Sequence, residues 1–142
     1  MVSTGAKRAR ALARTALELL LASHTVDCAK CLKSGSCELH KVARHLGVKL
    51  NTKRFRKILR EIPVDNSSPL FIYDADKCVL CGRCVWVCGE KLDKGRIGFG
   101  HRGFRRMVTT FGDGPMGRAA CEDCSECVVV CPVGALVLRN AT

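Results

Sequence analysis

Eleven of the 142 residues are cysteine, and eight of these fall in two runs of one spacing, CVLCGRCVWVC at 78–88 and CEDCSECVVVC at 121–131. Each cysteine of the first run returns 43 residues later, and Val85 and Val87 return as Val128 and Val130. Thiolates at C-x2-C-x2-C-x3-C are a ligand run for [4Fe–4S] clusters. The physical reason is reach. A chain curling through the first three cysteines can offer three thiolates to three corners of one cubane. The fourth sits on the helix that follows and points away from that cube. Two copies solve the problem together, because each fourth cysteine can ligate the other copy's cluster. The spacing therefore predicts one [4Fe–4S] site at Cys78, Cys81, Cys84 and Cys131. It predicts a second at Cys88, Cys121, Cys124 and Cys127.

Three cysteines remain, Cys28, Cys31 and Cys37, in the stretch HTVDCAKCLKSGSC. A third four-ligand site lacks one thiolate, and His24 stands four residues before Cys28. An isolated histidine before a turn is ordinarily a polar loop residue. Here the count favours ligation, since eleven cysteines and one histidine make three sets of four. His40, His45 and His101 lack such spacing and read as surface or structural residues. Zinc competes for C-x2-C pairs, but structural zinc sites usually use two separated pairs rather than two complete matched runs. Disulfides would need an oxidising compartment and an even count.

These ligands need elements to hold them. Residues 4–22 read as a helix with Thr4 as its cap. Ala9, Leu12, Ala13, Ala16, Leu17, Leu20 and Leu21 form its apolar face, and His24 follows its end. A second short helix is predicted after Cys37, with Leu39, Val42 and Leu46 on one side and Gly47 as its stop. A third is predicted over 52–62, where Phe55, Ile58, Leu59 and Ile62 have helical spacing, basic residues cover the other faces and Pro63 ends the run. That basic helix is a candidate dock for an acidic partner, or simply a solvated face. Gly82 and Ser125 suit tight turns against the clusters. LFIY at 70–73 and ALVL at 135–138 read as short strands flanking the duplicated unit.

The formal charge is +11, and residues 1–61 carry 14 Lys and Arg against 4 Asp and Glu. Thiolate-bound clusters are themselves negative and would lower the total to about +6. A nucleic-acid binder is the rival that this charge invites, but Phe55 is the only aromatic in the basic half available for base stacking. The N-terminus is basic and amphipathic, as in a mitochondrial transit peptide, and lacks a clean secretory cleavage site. No stretch approaches the roughly 18 apolar residues of a membrane span.

The pieces ARTALELLLASHTVDCAKCLKSGSCELHKVARHLGV, DNSSPLFIYDADKCVLCGRCVWVC and CVVVCPVGAL together resemble a known iron–sulfur region. It is the region shared by the large iron–sulfur subunit of NADH-quinone oxidoreductase, iron-only hydrogenases and NAD-linked formate dehydrogenases. The likeness runs from about residue 2 to 138 and is loose over 49–62. It implies an α+β fold. A small helical cluster domain with one histidine and three cysteine ligands occupies 1–62, 63–69 is a linker, and a duplicated ferredoxin-like two-cluster domain occupies 70–142. It also implies a [4Fe–4S] cluster on His24, Cys28, Cys31 and Cys37, which makes the N-terminal helix part of the cluster domain. Family members usually begin with a [2Fe–2S] domain and end in a large catalytic domain; this chain reads as the relay between them. The expectation is a non-catalytic, cytoplasmic electron-transfer subunit with three [4Fe–4S] clusters. Its expected partners are a flavoprotein NAD(P)H-oxidising subunit and a catalytic oxidoreductase subunit, with no nucleic acid and no membrane span. A freely diffusing ferredoxin-like carrier is the nearer alternative.

Overall fold

The computed structural model describes residues 5–58, 60–119, 121 and 124–139. Its class is α+β, with short helices and two small antiparallel sheets. Helix α1 runs Lys7–Ser23 and α2 runs Glu38–Leu46. The cap expected at Thr4 lies outside the described residues. Only the C-terminal half of the apolar face of α1 is covered. Leu17, Leu21 and Ala22 are buried, whereas Leu12 is 71% exposed. Arg14 ties the two helices together by donating from Nε to the Leu46 carbonyl at 2.6 Å and from Nη2 to that of Gly47 at 3.3 Å. These acceptors lie at the end of α2, where helix carbonyls lack partners of their own. Gly47 closes that helix at φ 64°, a conformation that favours glycine, and Val48 N–H returns to the Ala43 carbonyl.

The helix expected over 52–62 does not form among its described residues. Tertiary bonds take the groups that would have built it. Ile58 N–H donates to the Ala22 carbonyl at 2.9 Å, and Lys57 Nζ donates to that of Leu21 at 2.7 Å. Arg54 donates to Glu18 and Thr15 on α1. The side chain of Arg60 is only 8% exposed, 3.2 Å from Asp76. It bonds the carbonyls of Ala75 and Arg106. Three members of the basic run thus tie the segment to α1 and to Ala75 and Asp76, and no basic docking helix forms among its described residues.

Strand β1, Phe71–Tyr73, pairs antiparallel with the strand at Leu136–Leu138, in the register Phe71↔Leu138 and Tyr73↔Leu136. Both expected flanking strands are therefore present and are joined. Between them come α3, Arg83–Trp86, which continues as a π-helical turn over Val87–Lys91, and a hairpin of β2, Ile97–Gly100, with β3, Met107–Thr110. Then follow α4, Glu126–Val129, and β4, the strand at Leu136–Leu138. The hairpin was not expected. The 63–69 stretch is tied down: Asp65 bridges Tyr73 and accepts from Met116 N–H, and Ser67 Oγ accepts from Gly117 N–H. One contiguous core runs from Leu17, Leu21 and Leu39 to Phe71, Val108, Val133 and Leu136.

Candidate iron–sulfur centres

His24 is held by bonds on both sides. Before it, the free carbonyls at the end of α1 are taken by Lys57 and Ile58. After it, Thr25 N–H donates to the Asp76 carbonyl at 3.0 Å. The imidazole Nδ1 is buried and has no hydrogen-bond partner. Burial first, then the nearby Lys57, pushes its pKa down to about 4, with Asp74 opposing. The ring is therefore neutral, with a lone pair free to bind metal. His24 lines one small cavity with Cys28, Cys31 and Cys37.

The two cysteine runs line two further cavities, and they do so in crossed fashion. Cys78, Cys81 and Cys84 share theirs with Cys131, while Cys121, Cys124 and Cys127 share theirs with Cys88. The strand pairing explains the crossing. Tyr73 lies opposite Leu136, so Cys78, five residues after the one, meets Cys131, five residues before the other. Helices α3 and α4 pack together and carry Cys84 and Cys127. Burial raises the thiol pKa of Cys84 to about 12, reinforced by Cys78, Cys131 and Cys81. Burial likewise raises Cys127 to about 12, reinforced first by Cys84. Cys78 and Cys121 are also raised, chiefly by burial, with Cys131 adding to the first and Cys88 to the second. Clustered thiols of this kind stay protonated until a metal centre replaces the protons.

The donor set is entirely sulfur and imidazole, which suits iron–sulfur clusters. The cysteines are free rather than joined in disulfides. Among the described residues no three His, Cys, Asp or Glu side chains converge as one metal ion would require. Backbone N–H groups already address two sulfurs: Leu80 donates to Cys78 Sγ at 3.4 Å and Arg96 to Cys88 Sγ at 3.3 Å.

The structure adds residues that spacing did not single out. His40, Lys77, Val133 and Gly134 also line the His24 cavity. His40 stands three residues after Cys37, on the same side of α2, a signal available in the sequence. Gly134 is needed for close approach, since a Cβ there would lie 2.5 Å from Cys31 Sγ. The tail of the second run therefore packs directly on the first site, and Glu38 N–H donates to the Pro132 carbonyl at 2.9 Å. Tyr73 lines the Cys78 cavity, and Lys94 and Arg96 line the Cys88 cavity. His45 and His101 are exposed, the latter 3.3 Å from Asp113.

The chain is similar to known proteins over nearly its whole length. Residues 14–51 match the NADH-ubiquinone oxidoreductase-G iron-sulfur binding region. Residues 68–137 match the ferredoxin-like domain of NADH-quinone oxidoreductase subunit 3. The NADP-reducing hydrogenase subunit HndD of Solidesulfovibrio fructosivorans is 36% identical over 96% of this chain and 23% of its own length. An NADH-quinone oxidoreductase subunit of Rhizobium meliloti (strain 1021) is 37% identical over 85% of this chain and 14% of its own. The chain thus spans a quarter or less of these curated relatives. A crystal structure of an NAD+-reducing [NiFe]-hydrogenase in the H2-reduced state superposes with TM-score 0.86 at 29% identity, covering 96% of this chain and 57% of that one. Among the described residues no helix is long and apolar enough to cross a membrane. Through its matched segments at 14–51 and 68–137, the chain belongs to the [4Fe–4S]-binding iron–sulfur family of NADH-quinone oxidoreductase and its hydrogenase and formate dehydrogenase relatives.

Proposed function

We propose that the chain is a non-catalytic electron relay in a cytoplasmic, multi-subunit NAD(P)H-linked oxidoreductase, and that it holds three [4Fe–4S] clusters. The first is held by His24, Cys28, Cys31 and Cys37 in a unit at 1–62. The second and third lie in a duplicated ferredoxin-like unit at 70–142, joined to the first by 63–69. Cys78, Cys81, Cys84 and Cys131 hold the second; Cys88, Cys121, Cys124 and Cys127 hold the third. The observation that carries the reading is the sorting of the eleven cysteines into three cavities, four in each of two and three in the third, where His24 and His40 stand beside them.

When bound, such clusters accept and pass on single electrons. This chain's residues set the order and the insulation. Val133 lines both the His24 and the Cys78 cavities, and Leu136 lines both the Cys78 and the Cys88 cavities. These shared apolar residues support an order in series, with the Cys78 site between the His24 and the Cys88 sites. Cys28 and Cys81 are exposed, while Cys84, Cys88, Cys127 and Cys131 are buried. The inner thiols keep water away from the path, and the outer ones give partners access. The relatives' names suggest the partners: a flavoprotein that oxidises NAD(P)H on one side, and a hydrogenase, formate dehydrogenase or similar catalytic subunit on the other.

The test is analysis of the anaerobically purified chain. It should contain about twelve iron and twelve sulfide, from three cubanes. His24→Ala should lose one cluster signal in an EPR-monitored redox titration. His24→Cys should keep a four-iron cluster at lower potential, because thiolate replaces a neutral ligand. Stoichiometric zinc without labile sulfide, or three unaltered signals in His24→Ala, would refute the reading.

A further inference from the structure

The relay reading leaves one large surface feature unused. An open groove of about 430 Å³ runs between the β2–β3 hairpin and the extended segment that replaces the expected third helix. Ile58, Ile62, Phe104 and Met107 give it apolar walls. Arg60, His101 and Arg105 supply its polar lining, and no carboxylate lines it among the described residues. The hairpin loop holds Phe104 out: it sits in a one-turn helix at Gly103–Arg105, entered at φ 59° on Gly103, and is 68% exposed. Asp76 already offsets Arg60, and Asp113 stands beside His101. Arg105 at the mouth, and Arg102 beside the turn, are exposed.

We propose that this groove seats a segment of another subunit, with an apolar anchor against Phe104, Ile58 and Ile62 and flanking Asp or Glu residues toward Arg105 and Arg102. Charge complementarity selects that occupant. A second copy of this chain, at net charge +11, would bring more positive charge to a mouth that is already positive. A nucleic-acid strand would set phosphates against Ile58, Ile62 and Met107. The position also suits a relay. Arg60 on the groove wall reaches Ala75 and Asp76, in the turn whose Lys77 lines the His24 cavity. A segment seated here lies against the braces that hold the histidine site. The proposal rests on the reading that the chain works inside a complex.

The experiment uses the native complex from the host, with a photo-reactive benzoylphenylalanine at Phe104 and a control at exposed Leu12. Illumination should join position 104 to an acid-rich segment of one other subunit, and position 12 should not give that product. Arg105→Glu should weaken association with that subunit tenfold or more and flatten its salt dependence, while Arg105→Lys stays near wild type. Iron, sulfide and EPR signals should not change in any of these variants. Several results overturn the groove proposal: joining only to a second copy, joining to a segment without carboxylates, no product at all, or unchanged association in Arg105→Glu. So does binding of a labelled single-stranded oligonucleotide that Arg105→Glu abolishes. Loss of the cluster signals in the unmodified chain would instead break the relay reading. A complete set of clusters in a chain that elutes alone would break the subunit reading and the groove proposal together.

Discussion

The Cys78 and Cys88 cavities are built from the same cysteine spacing and have different walls. Around Cys78, Cys81, Cys84 and Cys131 the lining includes Tyr73, Val79, Val108, Pro132, Val133 and Leu136, with no charged side chain among the described residues. Around Cys88, Cys121, Cys124 and Cys127 the lining includes Lys94 and Arg96. The difference comes from the chain after each run. Past Cys88 a π-helical turn leads to β2, and Arg96 N–H donates to Cys88 Sγ. Past Cys131 the chain turns at Pro132 toward β4. Arg139, 43 residues after Arg96, donates instead to the Asn66 carbonyl. Spacing fixes which atoms can ligate; the insertion between the copies fixes the field around them. Pairs of this kind should therefore share cluster type and differ in potential.

The largest test of the comparison is the crossing itself. Cys88→Ser should disturb the same cluster signal as Cys121→Ser and leave the signal lost in Cys78→Ser intact. Cys131→Ser should group with Cys78→Ser. EPR of the four anaerobically purified variants decides it, and Cys88→Ser grouping with Cys78→Ser would mean that each run serves its own cluster.

A smaller effect should separate the two turns that enter α3 and α4. Gly82 has φ 80°, in the left-handed region, and its copy Ser125 has φ −120°. Gly82→Ala should cost about 1–2 kcal/mol from backbone strain. Space is not the cause, since the added Cβ would meet the Phe99 ring at an ordinary 3.6 Å. Ser125 makes no side-chain cap bond, so Ser125→Ala should stay within about 0.5 kcal/mol. Denaturant unfolding of the cluster-loaded variants measures both. Equal costs would restore the symmetry of the two turns.

Much of this architecture was legible because ligand chemistry is local. The C-x2-C-x2-C-x3-C runs, the flanking strands, α2 and its Gly47 stop follow from residue type and spacing alone. The reading failed where long-range bonds displaced local ones. Ile58 and Arg60 fit a helix by period, yet Ile58 N–H serves the Ala22 carbonyl and Arg60 is spent on Asp76 and Ala75. The β2–β3 hairpin escaped notice because glycine at 98, 100 and 103 leaves no strand-like alternation of side chains there. One of them, Gly100, is required by packing, since a Cβ there would lie 2.5 Å from Thr109 Cγ2. Gly82 met its expected role in a tight turn, whereas Ser125 reached its helix without a left-handed residue. The placement of Gly134 on Cys31, and of Lys77 beside His24, depends on how the two halves dock, which no local pattern encodes.

The finest test concerns the field rather than the ligands. Arg96 and Lys94 both favour the thiolate form of Cys121, so the positive charges act on that site. An added electron there is stabilised by them, as Arg60 favours the thiolate of Cys78 at the other site, so removing either charge should lower the potential of the cluster at Cys88, Cys121, Cys124 and Cys127. Arg96→Gln removes one charge and keeps the backbone N–H on Cys88 Sγ. At an effective dielectric near 20 the lost interaction is about 1 kcal/mol, on the order of 50 mV for a one-electron couple. The change should be downward, confined to this cluster, and smaller at high salt because Arg96 is only half-buried. Arg96→Gln also loses the 2.7 Å bond from the guanidinium to the Ala119 carbonyl, so a packing disturbance must be separated from a charge effect. Arg96→Lys keeps the charge and loses the planar fork; it should return most of the potential. Lys94→Gln should shift the same cluster in the same direction. The Cys78 cavity has no charged wall residue among the described residues and feels Arg60 rather than Arg96 or Lys94, so its cluster should keep its potential in all three variants. Equal shifts at both clusters in an EPR-monitored titration would show that the field is shared across the repeat, and that the difference between the two walls does not set the potentials.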